Sequence, residues 1–155
     1  GRRGLSDAAW EVWAAIEALY GAGKTKLIGI SNVTADQLTL LCARAAHKPM
    51  VVQNRCYAAL GWDRDVRAIC RTHGIIYQGF SLLTANQGLF TDPEVRAMAA
   101  KHGMGLAQLV FRFAMQIGML PLTGTTDPQH MQEDLRSDQF TIAPDDLQRL
   151  EIIGM

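Results

Sequence analysis

Small polar residues follow apolar runs of the sequence at four places, and their hydroxyl and amide groups are suited to holding a ligand. These residues are Ser31 with Asn32, Gln53 with Asn54, Ser81, and Thr125. Small polar groups at the carboxyl end of a parallel strand, beside the free amides of a helix N-terminus, are typical of ligand sites in α/β proteins. Many such turns carry Ser or Asn only as helix caps, so each place by itself is a weak signal.

The segment GTTDPQ, residues 124–129, offers two interpretations. A glycine and two threonines before a helix can hold a phosphate through backbone amides and hydroxyls. Asp127 at the cap position with Pro128 after it also predicts a helix that caps itself, and the aspartate then competes for the same amides. The segment lacks the lysine and the spacing of a P-loop.

Residues 27–38, LIGISNVTADQL, organise the elements that carry these groups. Leu27, Ile28 and Ile30 predict a buried strand, and Thr34 with Gln37 matches a capping box that begins a helix. The same layout recurs with predicted strands at 50–52, 75–80 and 119–122. We predict helices from Ser6 to the glycines at 21 and 23, after Thr34, at 63–73, from 92, along the apolar face of 106–117, and at 144–153. The polar stretch 84–91 is either a ligand flap or an ordinary surface loop.

The predicted order is one helix, four strand–helix units and a terminal helix, within a single domain spanning residues 1–155. Alternating strands and helices favour a parallel sheet with right-handed crossovers, which gathers the polar strand ends at one edge. The fold class is therefore α/β, in a (β/α)-barrel-like arrangement.

Composition limits the partners. The 155 residues are 48% hydrophobic, and 15 basic residues balance 15 acidic ones, so no overall field favours nucleic acid or an anionic membrane. Cys42, Cys56 and Cys70 match no metal spacing, which favours reduced thiols, a cytoplasmic location and no metal site. We find no signal peptide and no apolar run long enough to span a bilayer.

Four segments in register with the predicted strands resemble the second half of an aldo-keto reductase. They are GKTKLIGISN, PMVVQN, GFSLL and PLTGTTDPQHMQEDL, and the resemblance covers nearly the whole chain. It implies about half of a (β/α)8 barrel, four strands plus flanking helices. It also implies the cofactor-binding half of an enzyme that reduces aldehydes and ketones with NADPH or, less often, NADH.

The resemblance also assigns roles along the cofactor. Ser31, Asn32 and Gln53 match residues that bind the nicotinamide carboxamide, and Phe80 stands where the family usually stacks a tyrosine on the ring. Ser81 and Leu83 match the loop near the pyrophosphate. Gly124, Thr125 and His130 fall at the adenosine 2′-phosphate, and Glu133 and Asp134 at the adenine. The resemblance implies NADP as the cofactor, with NAD possible and with weak or absent binding by the isolated half. Gly124 and His130 replace basic residues and Asp134 replaces an asparagine, which removes charge-assisted bonds that would favour NADP over NAD.

The family reduces carbonyls with an Asp, Tyr, Lys and His tetrad from its first four strands, and we expect this chain to begin after them. Tyr20, Tyr57 and Tyr77 do not stand at the catalytic position, so we expect no catalytic residue and no carbonyl reduction by this chain alone. Three interpretations remain: a fragment of a reductase, a noncatalytic half-barrel for binding or assembly, or a half completed by a separate N-terminal chain. Two open sheet edges favour a homo-oligomer.

Overall fold

The computed structural model describes residues 4–154 and has the α/β architecture that the sequence predicts. Four parallel strands form one sheet in the order β1-β2-β3-β4, with helices flanking it. The strands are β1 (Gly29–Ser31), β2 (Val51–Arg55), β3 (Ile76–Phe80) and β4 (Met119–Pro121). The helices are α1 (Asp7–Gly21), α2 (Ala35–Arg44), α3 (Arg64–His73), α4 (Pro93–Lys101), α5 (Leu106–Gln116), α6 (Pro128–Leu135) and α7 (Pro144–Ile152).

The described chain divides into two compact units. The first contains residues up to 54 together with 64–77, and the second contains residues 55–63 together with those from 78 onward. A single domain over residues 1–155 therefore stays a prediction.

In the first unit, local sequence explains where the helices begin. The Ser6 hydroxyl accepts a hydrogen bond from the Ala9 amide at the start of α1, as predicted for an N-cap. The predicted capping box of α2 is present, because Thr34 and Gln37 each accept a hydrogen bond from the other's backbone amide. Trp13, Ile28 and Leu41 form a buried cluster in this unit. In this unit the helices α1 and α2 begin at the predicted caps, and apolar residues of the same elements form the buried cluster.

In the second unit, the apolar face predicted for residues 106–117 is the core-facing side of α5. Leu109, Val110 and Phe113 are buried. Trp62 is fully buried against Phe113, with ring centroids 4.8 Å apart, and its indole Nε1 donates to the Leu150 carbonyl at 2.9 Å. This contact ties the segment Ala58–Asp63, whose residues 60–62 depart from helical backbone angles, to α7.

Three sequence-based expectations are wrong in detail. Leu27, Ile28 and Ile30 are expected in a buried strand, but β1 comprises only Gly29–Ser31, and Leu27 is exposed, because the ladder with β2 begins at the pair of Gly29 and Val51. The second strand was predicted to stop before Gln53 and Asn54, but β2 runs through both to Arg55. Strand length here depends on pairing with β1 rather than on local apolar content, since Ser31 lies opposite Gln53 in the ladder. The stretch 84–91 is not wholly a polar loop, because it contains the short 3-10 helix Gln87–Phe90 with Leu89 buried.

Candidate functional site

The first unit brings Ser31 and Asn32, at the end of β1, next to Gln53 in the middle of β2. Ser31 is the register partner of Gln53, and the Asn32 amide donates to the Gln53 carbonyl at 3.0 Å. The Asn32 side-chain Nδ2 donates to Ser31 Oγ at 2.9 Å. Ser31 and Asn32 are exposed, and Gln53 is half-buried. The turn after β1 and its neighbour in β2 therefore carry one hydroxyl and two carboxamide groups, which have the donors and acceptors that a planar amide needs.

This turn has an unusual backbone. Asn32 adopts a left-handed conformation with φ of 57°. Asparagine tolerates that conformation better than most non-glycine residues, which explains its occurrence directly after the strand. The turn then enters α2, whose Gln37 amide is already occupied by the Thr34 hydroxyl.

The second unit positions three further predicted residues at the end of β3. Phe80 is half-buried, and its carbonyl accepts a hydrogen bond from the Cys56 amide at 3.0 Å. Ser81 is left-handed with φ of 58°, and Leu83 lies two residues further on. Ser81 and Leu83 line a cavity of about 220 Å³. Its remaining lining residues are Leu82, Thr84, Phe111, Leu122, Thr123 and Gly124.

The turn between β4 and α6 is stabilised by its own side chains. Asp127 Oδ1 accepts hydrogen bonds from the Gln129 amide at 2.7 Å and the His130 amide at 3.4 Å. These bonds hold the pKa of the Asp127 carboxyl below its usual range. Thr125 Oγ1 accepts from the Asp127 amide at 3.1 Å. Of the two interpretations of this segment, the structure favours a helix that caps itself.

Two acidic residues of the predicted adenine contact also have partners inside the second unit. Asp134 Oδ2 accepts from Thr123 Oγ1 at 2.8 Å. Glu133 Oε1 accepts from Gln129 Nε2 at 2.8 Å, and its main-chain carbonyl accepts from Gln108 Nε2 at 3.0 Å. The Asp134 side chain therefore ties α6 to the segment after β4, and the Gln108 side chain ties α5 to the main chain of α6.

A larger cavity of about 510 Å³ lies beside this turn. It is mainly apolar and has polar groups at the turn itself. Its lining residues are Phe111, Met115, Pro121, Met131 and Leu135, with Thr123, Gly124, Thr125 and Asp134. An apolar pocket with a few polar groups is the usual form of a small-molecule site.

The sequence reasoning did not single out Asn86, which is buried in the second unit. Its Oδ1 accepts from the Ala58 amide at 2.8 Å, and its Nδ2 donates to the carbonyls of Leu82 at 2.7 Å and Cys56 at 3.3 Å. One side chain therefore holds the segment after β2 against the segment after β3. Its place in a polar stretch gives no signal of burial, because two of its three partners, Ala58 and Cys56, lie 28 and 30 residues earlier.

Within residues 4–154, the structure contains no group of three or more His, Cys, Asp or Glu side chains arranged to hold a metal ion. Cys42, Cys56 and Cys70 are buried, and none of the three takes part in a disulfide. Burial raises the pKa of the Cys42 thiol, although nearby Lys48 opposes the shift. A buried thiol with a raised pKa is a core residue rather than a nucleophile.

The fold and the polar strand ends define a protein of the parallel (β/α) type with candidate ligand groups at the carboxyl ends of its strands. The profile of the aldo/keto reductase family matches residues 6–154, so the chain belongs to this family. Its sequence is 26% identical over 153 residues to aldo-keto reductase family 1 member A1 of Rattus norvegicus. It is 29% identical over 144 residues to the uncharacterized oxidoreductase YtbE of Bacillus subtilis (strain 168).

Solved structures show the same fold. The apo form of Gox0644 superposes with a TM-score of 0.85 at 25% identity, covering 96% of this chain and 54% of that one. MGS-M4, an aldo-keto reductase enzyme from a Medee basin deep-sea metagenome library, superposes with a TM-score of 0.87 at 24% identity, covering 96% and 56%.

The chain spans about half the length of the relatives that it resembles. The alignments cover 93% of this chain but 47% of the rat protein and 51% of the Bacillus protein. Over the part of the chain that the structure describes, no helix is long and apolar enough to cross a membrane.

Proposed function

We propose that this chain is the cofactor-binding half of an NAD(P)H-dependent aldehyde or ketone reductase and that it carries no catalytic tetrad of its own. The observation that carries the proposal is the Ser31–Asn32 turn lying beside Gln53 of β2, within a chain whose family profile matches residues 6–154. Their hydroxyl and amide groups have the donors and acceptors that a carboxamide needs.

In the first unit, Ser31, Asn32 and Gln53 bind the nicotinamide carboxamide. In the second unit, the Phe80 ring is suited to stacking on an aromatic ring, since stacking requires the ring and not the hydroxyl of a tyrosine. Ser81 and Leu83 approach the pyrophosphate. The remaining assigned residues serve the adenosine end: Gly124, Thr125, His130, Glu133 and Asp134.

The bound cofactor supplies a hydride to a carbonyl carbon in this family. The residues of this chain bind and orient the cofactor, and the acid that protonates the carbonyl oxygen is expected from the family's first four strands. We therefore expect cofactor binding without carbonyl turnover, and a cytoplasmic setting in which the nicotinamide cofactor is available.

The test is titration with NADPH and with NADH, followed by quenching of tryptophan fluorescence. We expect saturable binding that Gln53→Ala weakens by about tenfold, the effect of losing one well-made hydrogen bond. Gln132→Ala, an exposed change on α6 outside the assigned residues, is the matched control and is expected to bind like the unchanged protein. Absence of saturable binding up to millimolar cofactor, or turnover of an aldehyde by the chain alone, contradicts the proposal.

A second candidate function is a noncatalytic half-barrel that assembles with a second copy or with a separate N-terminal half. It is favoured by the sheet order, in which β1 and β4 of the described chain each have a strand on one side only. Each unit also exposes large apolar side chains, such as Leu27 in the first and Leu135 in the second. Open edges and exposed apolar groups favour association.

A further inference from the structure

Asn54 lies in β2 at a position where the alternation of the strand predicts an apolar residue. Val52 and Asn54 are the buried members of β2, and Asn54 is only 6% exposed. Gln53 between them points to the opposite face, as successive strand residues do. A carboxamide buried in an apolar position destabilises the fold unless its hydrogen bonds are made. Its partners therefore indicate why the residue is there.

Both ends of the Asn54 amide bind the backbone of one residue, Val33. The Val33 amide donates to Asn54 Oδ1 at 3.0 Å, and Asn54 Nδ2 donates to the Val33 carbonyl at 2.7 Å. This reciprocal pair imitates the pairing that a neighbouring strand would provide. The last ladder pair of β1 and β2 is Ser31 with Gln53. The Asn54–Val33 pair continues the contact two residues past the end of β1.

The backbone is hydrogen-bonded to β2 both at Asn32 and at the residue that follows it. Its own amide is held by the Gln53 carbonyl, and the following residue, Val33, is held by Asn54. A non-glycine residue in the left-handed region is strained and persists only where its surroundings fix it. Asn32, with φ of 57°, is such a residue, and its side chain is hydrogen-bonded to Ser31 Oγ.

We propose that Asn54 is a positioning residue, which fixes the Ser31–Asn32 turn in the conformation that binds the carboxamide of a nicotinamide ring. The inference rests on the proposed function, and it adds a buried residue that does not touch the ligand. Without Asn54 the backbone of Val33 loses both partners, and the turn relaxes from its left-handed conformation. Ser31 and Asn32 then no longer present their polar groups in one arrangement.

The experiment compares two ligands that differ by the nicotinamide. NADH contains it, and ADP-ribose lacks it. Asn54→Leu keeps a similar volume and removes both hydrogen bonds. We expect it to weaken NADH binding by about tenfold or more, the effect of losing a buried hydrogen-bonded arrangement, and to leave ADP-ribose binding within about twofold. Isothermal titration calorimetry measures both affinities.

Two further variants separate positioning from general stability. Val66→Ala removes a buried side chain of α3 in the same unit and leaves the Asn54 hydrogen bonds intact, so it is expected to change the two affinities equally or not at all. Asn54→Asp keeps an acceptor for the Val33 amide but loses the donor to the Val33 carbonyl. This variant replaces Asn54→Leu in the experiment if Asn54→Leu does not fold. We expect Asp to cause a smaller loss that is still specific to NADH.

The outcomes are distinct. Equal loss of both ligands in Asn54→Leu, matching Val66→Ala, overturns the inference and leaves cofactor binding in place. Unchanged NADH affinity in Asn54→Leu overturns it as well. If the unchanged protein binds neither NADH nor NADPH, the proposed function fails and this inference fails with it. Faster hydrogen exchange of the Asn32 and Val33 amides in Asn54→Leu, relative to Val66→Ala, is the expected structural signature.

Discussion

Asp127 dominates the charge of the turn between β4 and α6. Its carboxylate occupies the Gln129 and His130 amides, which are the groups that a phosphate at this helix end would need. Residues 119–135 contain neither lysine nor arginine, and His130 is the only basic side chain among them. A 2′-phosphate placed here therefore meets an anion and receives no fixed cation, while an unphosphorylated ribose meets no such opposition.

A cation introduced at this turn is expected to shift the cofactor preference. Gly124→Lys raises the affinity for NADPH relative to NADH by about tenfold, since an exposed ammonium adds a charge-assisted bond at the lower end of its range. The position accepts a side chain, because nothing lies within 4 Å of a Cβ built on Gly124. Fluorescence titration with both cofactors measures the ratio.

Gln132→Lys adds the same charge on exposed surface of α6 and serves as the control. It is expected to leave the ratio of the two affinities near its original value. An equal rise in NADPH preference for both lysine variants means that the general field of the protein acts on the phosphate. The assignment of Gly124 to the phosphate position would then be wrong.

The pH dependence of stability also reports on Asp127. Hydrogen bonds from the Gln129 and His130 amides lower its pKa in the folded protein below the unfolded value of 3.8. A depressed folded pKa contributes stability above that unfolded value, and the contribution is lost as pH falls through the folded pKa. Asp127→Asn keeps a capping oxygen without titrating. Denaturant unfolding is expected to show that the advantage of the original protein over this variant shrinks below about pH 3.8; an advantage constant from pH 6 to 3 contradicts the assignment.

At the scale of the elements, Gly29 controls how closely β1 approaches β2. A Cβ built on Gly29 would lie 2.6 Å from the Val51 carbonyl oxygen, closer than real contacts allow, and the obstacle is backbone. We expect Gly29→Ala to lower the free energy of unfolding by about 2 kcal/mol or more, as overpacking does. The change also moves Ser31 away from its register partner Gln53, so cofactor binding is expected to weaken.

Gly21→Ala is the matched control for this glycine. It lies at the end of α1, where an added Cβ meets nothing within 4 Å, and alanine is the better helix former. Denaturant unfolding is expected to show unchanged or slightly higher stability. Equal stability of the two alanine variants would mean that β1 and β2 can move apart at no cost in free energy of unfolding. That result would contradict the prediction for Gly29→Ala.

Local signals predicted the elements, and distant contacts decided the details. Thr34 with Gln37 and Asp127 with Pro128 identify helix starts from four consecutive residues or fewer, so the sequence was sufficient. The extension of β2 over Gln53 and Asn54 was not predictable, because it depends on a partner more than twenty residues earlier. The burial of Asn86 was not predictable either. A polar side chain in a polar stretch suggests an exposed loop, and only the hydrogen bonds to three backbone groups explain why this residue is buried.

The described sheet corresponds to about half of the length of the family members that the chain resembles. The chain belongs to the aldo/keto reductase family but spans 47% of the length of the rat relative. A parallel (β/α) sheet that is not closed on itself leaves edge strands, which pair readily with another chain. The proposed cofactor-binding groups and the open edges both follow from this architecture, so all of the proposed groups can be present although the sheet is not closed.

We expect the isolated chain to form homodimers or higher oligomers at micromolar concentration. In the second unit the edge strand β4 exposes 48% of Leu120, and α6 exposes 79% of Leu135. Both are apolar surfaces that association would remove from water. Leu120→Lys places a charge on this edge, a change that natural proteins use to prevent pairing, and it is expected to shift the population toward monomer.

Light scattering coupled to size-exclusion chromatography measures the mass of each species, and Gln139→Lys, an exposed change in the second unit away from β4, is the control. A monodisperse monomer for the unchanged chain contradicts homo-oligomer formation. Oligomers that persist unchanged in Leu120→Lys mean that the copies meet elsewhere than at β4. Because a polypeptide supplying the family's first four strands would compete for the same edge, its addition is expected to convert oligomers into complexes containing one copy of this chain.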